Sequence, residues 1–437
     1  MIIIDAPDFN AYWNHAGAAG RAAETDPGRV EQTVRDIIAQ VQSGGDRALR
    51  DYAARFDRSS PEHLEVSPAE ARHALEELER FDRELAAALR LAADHIRHFA
   101  VLQKKQFADF ESELESGLFT GQRCIPVERA AVYVPAGRFP LISTVLMGVI
   151  PAKVAGVAEV VLLSPPLEDG KPDRRILAAA ALAGADRIFA TGGAQAIAAA
   201  AFGTESVPRC DVIVGPGNKY VAAAKRILFG QVGIDFVAGP TDVLIIADGN
   251  AEPDLIAADL LAQAEHDPDA RARLLVPNRP MAERVTAALE KQLGTLSTAE
   301  TARASLDAGG LIVIYTSLDE AVRIANTIAP EHLELHLTAA EAIIPKLRNY
   351  GSLFIGSLAA EVLGDYSAGI NHTLPTSGSA RFTGGLSVRH FIKTVTSLRC
   401  APGAGFEASR RAAALIARAE GLDAHRRSAE SRGKIEP

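Results

Sequence analysis

In the first hundred residues apolar positions recur with helical spacing. From Pro27 to Phe56, residues Val30, Val34, Ile37, Ile38, Val41, Leu49 and Tyr52 follow that period, interrupted by Gly44 and Gly45, so the pattern predicts two helices. Ser67, with Glu70 three residues on, reads as the cap of a second helical block through Leu75, Leu78, Leu85, Leu89 and Ile96 to about Leu102. His63, His73, His95 and His98 lie in this polar region and read as surface residues. At Ala130 the period changes. Short apolar runs now alternate with helical ones, the signature of parallel α/β structure. Strands at Ala131–Pro135, Glu159–Pro166, Arg187–Ala190 and Asp211–Gly215, with helices between them, make one βαβ lobe. After Gly239 and Pro240 the theme repeats, with strands at Asp242–Asp248, Ala272–Pro277, Leu311–Tyr315 and Ser352–Gly356. Helices are expected at Pro253–Ala264, Met281–Leu293, Leu318–Ile328 and Ala339–Leu347, with the segment His332–Leu337 between the last two. A Gly-rich loop after Gly364, a short element near Leu386–Phe391 and helices from Gly405 to about Arg427 complete the chain. The expected division is a helical N-terminal segment (1–129) packing on the second lobe, a first lobe (130–238), a second lobe (239–380) and a helical C-terminal tail (381–437).

A chain of 437 residues is long enough for these two lobes, and 48% apolar with 23% charged residues places it among folded globular proteins. The net charge of −9 argues against a nucleic-acid partner, because the Arg-containing stretch Arg410–Lys434 is diluted by Glu420, Asp423 and Glu430. Cys124, Cys210 and Cys400 are scattered and odd in number, which fits a reducing compartment. The opening MIIIDAPDF lacks the basic and long apolar regions of a signal peptide. Pro151, Lys153 and Glu159 interrupt the most apolar stretch, Thr144–Leu163, so no membrane span is expected and the cytoplasm is the default location.

Candidate chemistry gathers at six places. LLAQAEHD (Leu260–Asp267) puts Gln263 and His266 three apart at a helix end, where they are either a hydrogen-bonded surface pair or two ligands of one metal ion. Imidazole is a favoured zinc ligand and an amide oxygen an unusual one that needs better ligands from elsewhere. TGGAQA (Thr191–Ala196) and GPGNKY (Gly215–Tyr220) join strands to helices and offer exposed backbone N–H groups to an anionic ligand. Neither completes the dinucleotide fingerprint, so the lobes are Rossmann-like with an incomplete one, and the plainer reading is a tight turn. APEHLEL (Ala329–Leu335) sets the carboxylate of Glu331 beside the imidazole of His332, a base and a second acid/base group; the alternative is a helix-end histidine with a solvated glutamate. The long polar loop Gly364–Gly378 holds Asp365 and His372, and RAEGLDAHRR (Arg418–Arg427) holds Glu420 and His425. Brought together, Gln263, His266, Asp365 and His425 would suit zinc.

These segments together resemble the histidinol dehydrogenase family over nearly the whole chain. The resemblance rests on YVPAGR (Tyr133–Arg138), IPAKVAGV (Ile150–Val157), GGAQAIAA (Gly192–Ala199), VGPGNKYVAAAKR (Val214–Arg226) and GQVGID (Gly230–Asp235). It continues through QAEHD (Gln263–Asp267), PEHLEL (Pro330–Leu335), GDY (Gly364–Tyr366), NHTLPT (Asn371–Thr376) and EGLDAH (Glu420–His425), all in family order. It implies an intertwined homodimeric zinc enzyme that uses two NAD⁺ in turn to oxidise L-histidinol through histidinal to L-histidine. Carried over by position, Gln263, His266, Asp365 and His425 match the zinc ligands, and the partner's tail supplies His425 and Glu420. Glu331 and His332 match the catalytic pair, while Tyr133, Gln195 and Asn218 match the NAD contacts. Thr241, Gln263, His266, His332, Asp365, His372, Glu420 and His425 match the substrate-binding set.

Departures concern the substrate side. Thr241 and Asp242 stand in GPTD where the family usually shows Ser then Glu, Ile370 replaces the usual Pro, and Thr383–Thr394 differs from the commoner wording. The extra methyl of Thr241 narrows the pocket. A second reading is therefore a paralogue with the same zinc and NAD chemistry acting on another small alcohol, such as a sulfonated propanediol. A third, from another class, is a non-catalytic binding protein on the same fold, against which the complete ligand and catalytic set argues.

Overall fold

The computed structural model describes residues 1–14, 27–57, 59, 61–136 and 140–434. Runs such as EVVLLS and DVLIIA are apolar on both faces, which suits strands covered on both sides by helices, and they form parallel sheets. The first six-stranded sheet runs in the order Glu65–Val66, Arg187–Ala190, Glu159–Ser164, Arg129–Tyr133, Val212–Val214, Gly233–Ile234, and only its Glu65–Val66 edge is antiparallel. The second, fully parallel, runs Ile2–Asp5, Leu311–Ile314, Arg271–Val276, Asp242–Ala247, His332–His336, Ser352–Ile355. Two apolar layers flank each sheet. The chain is thus mixed α/β with two parallel sheets. Among the described residues no helix is long and apolar enough to cross a membrane.

Three expectations are corrected. First, the N-terminal segment does not pack as a whole on the second lobe. Ile2–Asp5 joins the second sheet and Phe9 enters its core, but Pro27–Tyr52 covers the first sheet with Val34, Ile37, Val41 and Leu49. Pro68–Phe81 and Arg83–Lys104 likewise pack on the first lobe, where Ala71, Ala74, Leu89 and Ile96 find an apolar face. His95, exposed on the second of these helices, reaches the second lobe, its Nδ1 2.7 Å from Ser367 O. Second, Ala339–Leu347 is not a helix but two 3₁₀ turns, Ala340–Ala342 and Ile344–Lys346. Pro345 lacks the amide that a continuous α-helix would donate there. Third, the tail is not wholly helical. Ile392–Cys400 pairs antiparallel with Leu118–Pro126, which pairs with Phe110–Glu115, in a separate three-stranded sheet. No apolar alternation marks its outer strands, because all six residues of Phe110–Glu115 and eight of the nine of Ile392–Cys400 are exposed. The break expected at Gly44–Gly45 is present: Gly45 leaves helical geometry at φ 52° within Pro27–Tyr52.

Candidate active site

Strand register assembles the second lobe's polar corner. Val243 lies opposite His332, so Thr241 and Asp242, at the start of one strand, and Glu331, just before the other, meet at one end of the sheet. Glu331 Oε2 accepts from Thr241 Oγ1 (2.6 Å) and from Asp242 N (3.1 Å), and Asp242 Oδ1 accepts from Glu331 N (2.6 Å). Asp242 is held by the buried Arg273 at 3.2 Å. The helix Pro253–Ala264 covers this corner, and Gln263 in its last turn donates from Nε2 to Thr241 Oγ1 (2.9 Å). His266 lies just beyond the helix end, exposed.

His332 sits among three carboxylates. Its Nδ1 is 3.5 Å from Glu361 Oε1 and 4.0 Å from Glu331 Oε2, and its Nε2 is 3.6 Å from Asp365 Oδ1. Burial alone would lower the imidazole's pKa, but Glu361, Glu331 and Asp365 together raise it well above the usual histidine range. Burial pushes Glu331 up to about 7, with the His332 charge and the Thr241 hydrogen bond pulling the other way. Asp365, on the short helix Glu361–Tyr366, resists its own burial through the hydrogen bond and charge of His332 and the charges of His372 and His266, and its pKa falls. Burial lowers the pKa of His372. That histidine bridges the lobes: Nδ1 lies 2.9 Å from Asp365 O and Nε2 3.2 Å from Thr144 Oγ1 of the first lobe. Asn371 Nδ2 donates to Met147 O at 2.7 Å, a second tie between them.

A cation fits this corner. Gln263 is fully buried, and its Oε1 has no hydrogen-bond partner, an orphaned acceptor of the kind an ion satisfies. Asp365 adds a carboxylate, and His266 is near enough to act on it electrostatically. Gln263, His266 and Asp365 thus share one corner, because Glu361–Tyr366 packs against Pro253–Ala264.

At the carboxyl ends of the first sheet, Tyr133 closes its strand, and its hydroxyl accepts from Gly193 N at 3.1 Å. Burial pushes the phenol up to about 12, so it stays a neutral hydrogen-bonding group. Gln195 lies buried in the helix Gly193–Phe202, beside Gly193. Asn218 caps Lys219–Leu228, its Oδ1 accepting from Tyr220 N and Val221 N. Gly215 has φ +114°, and a Cβ there would stand 2.2 Å from Tyr133 O. Behind the turn, buried Lys225 pairs with Asp235 and donates to Gly215 O (2.9 Å), while Asp235 Oδ2 accepts from Gly215 N (2.8 Å). Tyr133, Gln195 and Asn218 therefore line the end of one sheet, beside helix N-termini of the kind that suit an anionic ligand. Of the YVPAGR motif, Gly137 and Arg138 lie outside the described residues.

Glu420 and His425 are not brought to this corner within one chain. Both are exposed, on or beside the helices Ala404–Ala419 and Asp423–Ser431, which pack chiefly on one another and on Phe110–Glu115. Two structural contributors escaped sequence reasoning. Glu361 sits in no motif. Asp242 was seen only as a departure from the family wording. The polar alternation His332, Glu334, His336 within a buried strand was a usable signal for a continuous polar face.

Comparison with known proteins shows what the chain is similar to. The family model described as Histidinol dehydrogenase matches residues 21–433. The chain is 46% identical over 438 residues to the histidinol dehydrogenase of Syntrophotalea carbinolica, covering 99% of each chain. It is 49% identical over 414 residues to that of Thermus thermophilus, covering 95% of this chain and 97% of the relative. The crystal structure of histidinol dehydrogenase from Elizabethkingia anophelis superposes with a TM-score of 0.88 at 36% identity, covering 93% of this chain and 92% of that one.

Proposed function

Because this chain belongs to the histidinol dehydrogenase family, we propose that it oxidises L-histidinol through histidinal to L-histidine, the last step of histidine biosynthesis. The proposal includes one zinc ion per subunit, two NAD⁺ used in turn and a homodimer with shared sites. The observation that carries it is the buried Glu331–His332 pair set beside Asp365 and the orphaned Gln263 Oε1.

Gln263, His266 and Asp365, with His425 from the partner subunit, would hold the zinc, and Tyr133, Gln195 and Asn218 the dinucleotide. When bound, the metal supplies a Lewis-acid anchor for the substrate's nitrogens and offsets the carboxylate charge that favours a protonated His332, and the dinucleotide supplies the hydride acceptor. His332 accepts the hydroxyl proton as the carbinol carbon loses hydride. The aldehyde must gain water before it can lose a second hydride, and Glu331, with a pKa near neutrality, takes the proton from that water. Thr241 orients Glu331 through its 2.6 Å hydrogen bond, and His372, with Glu420 from the partner, completes the substrate's polar surround. One site then performs both oxidations.

The test is stoichiometric. Zinc-loaded protein given limiting L-histidinol should form two NADH per molecule and leave histidine. Folded, zinc-loaded protein that forms no NADH from L-histidinol overturns the reading, and NADH from a sulfonated propanediol instead assigns the other substrate.

A further inference from the structure

The strand His332–His336 presents three polar side chains on one face, and the proposed chemistry uses only the first. Strand side chains alternate, so Glu334 and His336 follow His332 toward the helix Pro253–Ala264, where they meet Asp259. His336 Nε2 lies 3.4 Å from Asp259 Oδ2 and 3.4 Å from Glu334 Oε2, and the three ligand atoms fall within 4.8 Å of one another. Glu334 is 1% exposed and His336 5%. Glu334 Oε1 accepts from Glu361 N at 2.7 Å, yet Oε2, the oxygen aimed into the cluster, is buried with no hydrogen-bond partner.

Two physical arguments point the same way. Charge-assisted N–H···O contacts close to about 2.7–2.9 Å, and these stand open at 3.4 Å. A tetrahedral ion with bonds of about 2.0–2.1 Å keeps its ligand atoms roughly 3.3–3.4 Å apart. Charge gives the second argument. Two buried carboxylates facing one imidazolium leave a net negative charge in the core, whereas a divalent ion with a neutral imidazole leaves none. The Asp259 side chain retains 12% exposure, which gives an entry path. We propose that Asp259, Glu334 and His336 form a second cation site that takes a divalent transition-metal ion on one imidazole nitrogen and two carboxylate oxygens, distinct from the corner at Gln263 and Asp365. An ion there holds Glu334 in place, and Glu334 in turn holds the amide at the start of Glu361–Tyr366, the helix that carries Asp365.

The experiment uses full-length protein loaded with zinc or with manganese and freed of excess metal by gel filtration. Metal per chain is measured for the wild type, Glu334→Gln, His336→Gln and His266→Ala, alongside anomalous diffraction from loaded wild-type crystals. The expected result is two equivalents in the wild type, one in each variant, and an anomalous peak among Asp259, Glu334 and His336. Equal metal content in the wild type, Glu334→Gln and His336→Gln, with no peak at the triad, overturns the proposal. Should a variant not fold, the wild-type map decides alone. An equivalent that survives His266→Ala but not His336→Gln supports this site whatever becomes of the proposed catalytic metal.

Discussion

Thr241 Oγ1 stands between an amide and a carboxylate, accepting from Gln263 and donating to Glu331, so one hydroxyl couples the proposed metal corner to the proposed base. Glu331 can take a proton from water only when ionised, and its burial puts that ionisation at about 7. The ionised fraction therefore climbs as pH rises through neutrality, and oxidation of histidinal should climb with it between about pH 6 and 8; a rate profile with histidinal that is flat across this interval contradicts the assignment. Glu331→Gln should stop the reaction after the first hydride, giving one NADH per histidinol instead of two, and full stoichiometry from that variant would remove Glu331 from the mechanism. Asp242 acts behind Glu331. Its carboxylate faces Arg273 with both side chains nearly fully buried, so Asp242→Asn leaves an uncompensated guanidinium in the core and should destabilise the protein by about 3–5 kcal/mol in denaturant unfolding. A loss below about 1 kcal/mol would mean that Arg273 finds another partner.

Elements were legible where burial imposes a period. The central strands of both sheets stand out because helices cover them on both faces, so their apolar runs are continuous and flanked by helical patterns, whereas the edge strands Ile2–Asp5, Glu65–Val66 and Gly233–Ile234 carry no such run. Legibility failed where tertiary context decides. Pro345 turned an apolar helical pattern into two 3₁₀ turns, and Ile392–Cys400 is a strand only because Leu118–Pro126 lies beside it. For the candidate site, Glu331, His332, Gln263 and Asp365 stood out as residue types in short motifs, whereas Glu361 enters through strand order and helix packing that no local pattern encodes. The Gly-rich turn after Val212–Val214 shows how an element sets a site. With φ +114° and Tyr133 O 2.2 Å from where a Cβ would be, Gly215→Ala must displace either the turn or the Tyr133 strand end. We expect the KM for NAD⁺ to rise at least about tenfold while metal content stays unchanged, since such a turn lets backbone approach a phosphate only without a side chain. An unchanged KM would take this turn out of the cofactor site.

At the scale of the whole molecule, the tail leaves an unfinished surface. Leu398, Leu415 and Ile416 are 67%, 66% and 59% exposed along the Ile392–Cys400 strand and the helix after it, apolar area that calls for a covering partner. Glu420 and His425 ride on the same tail, away from the corner formed by Gln263, His266 and Asp365. If a second copy supplies that cover and inserts its own tail, each site is composite, and two variants that each fail to form histidine can repair one another. His425→Ala spoils the tail but leaves the lobe intact; Glu331→Gln spoils the lobe but leaves the tail intact. In a mixed dimer, the lobe of the first and the tail of the second make one complete site, while the other site carries both lesions. Random pairing of equal amounts puts half of the dimers in the mixed class, so about a quarter of the sites are whole, and about a quarter of the wild-type rate of histidine formation should return on co-refolding. Each variant refolded alone should stay inactive for the full reaction. Sites built within single chains would give no recovery at any mixing ratio, and that result would require His425 to reach the corner by a rearrangement of its own tail.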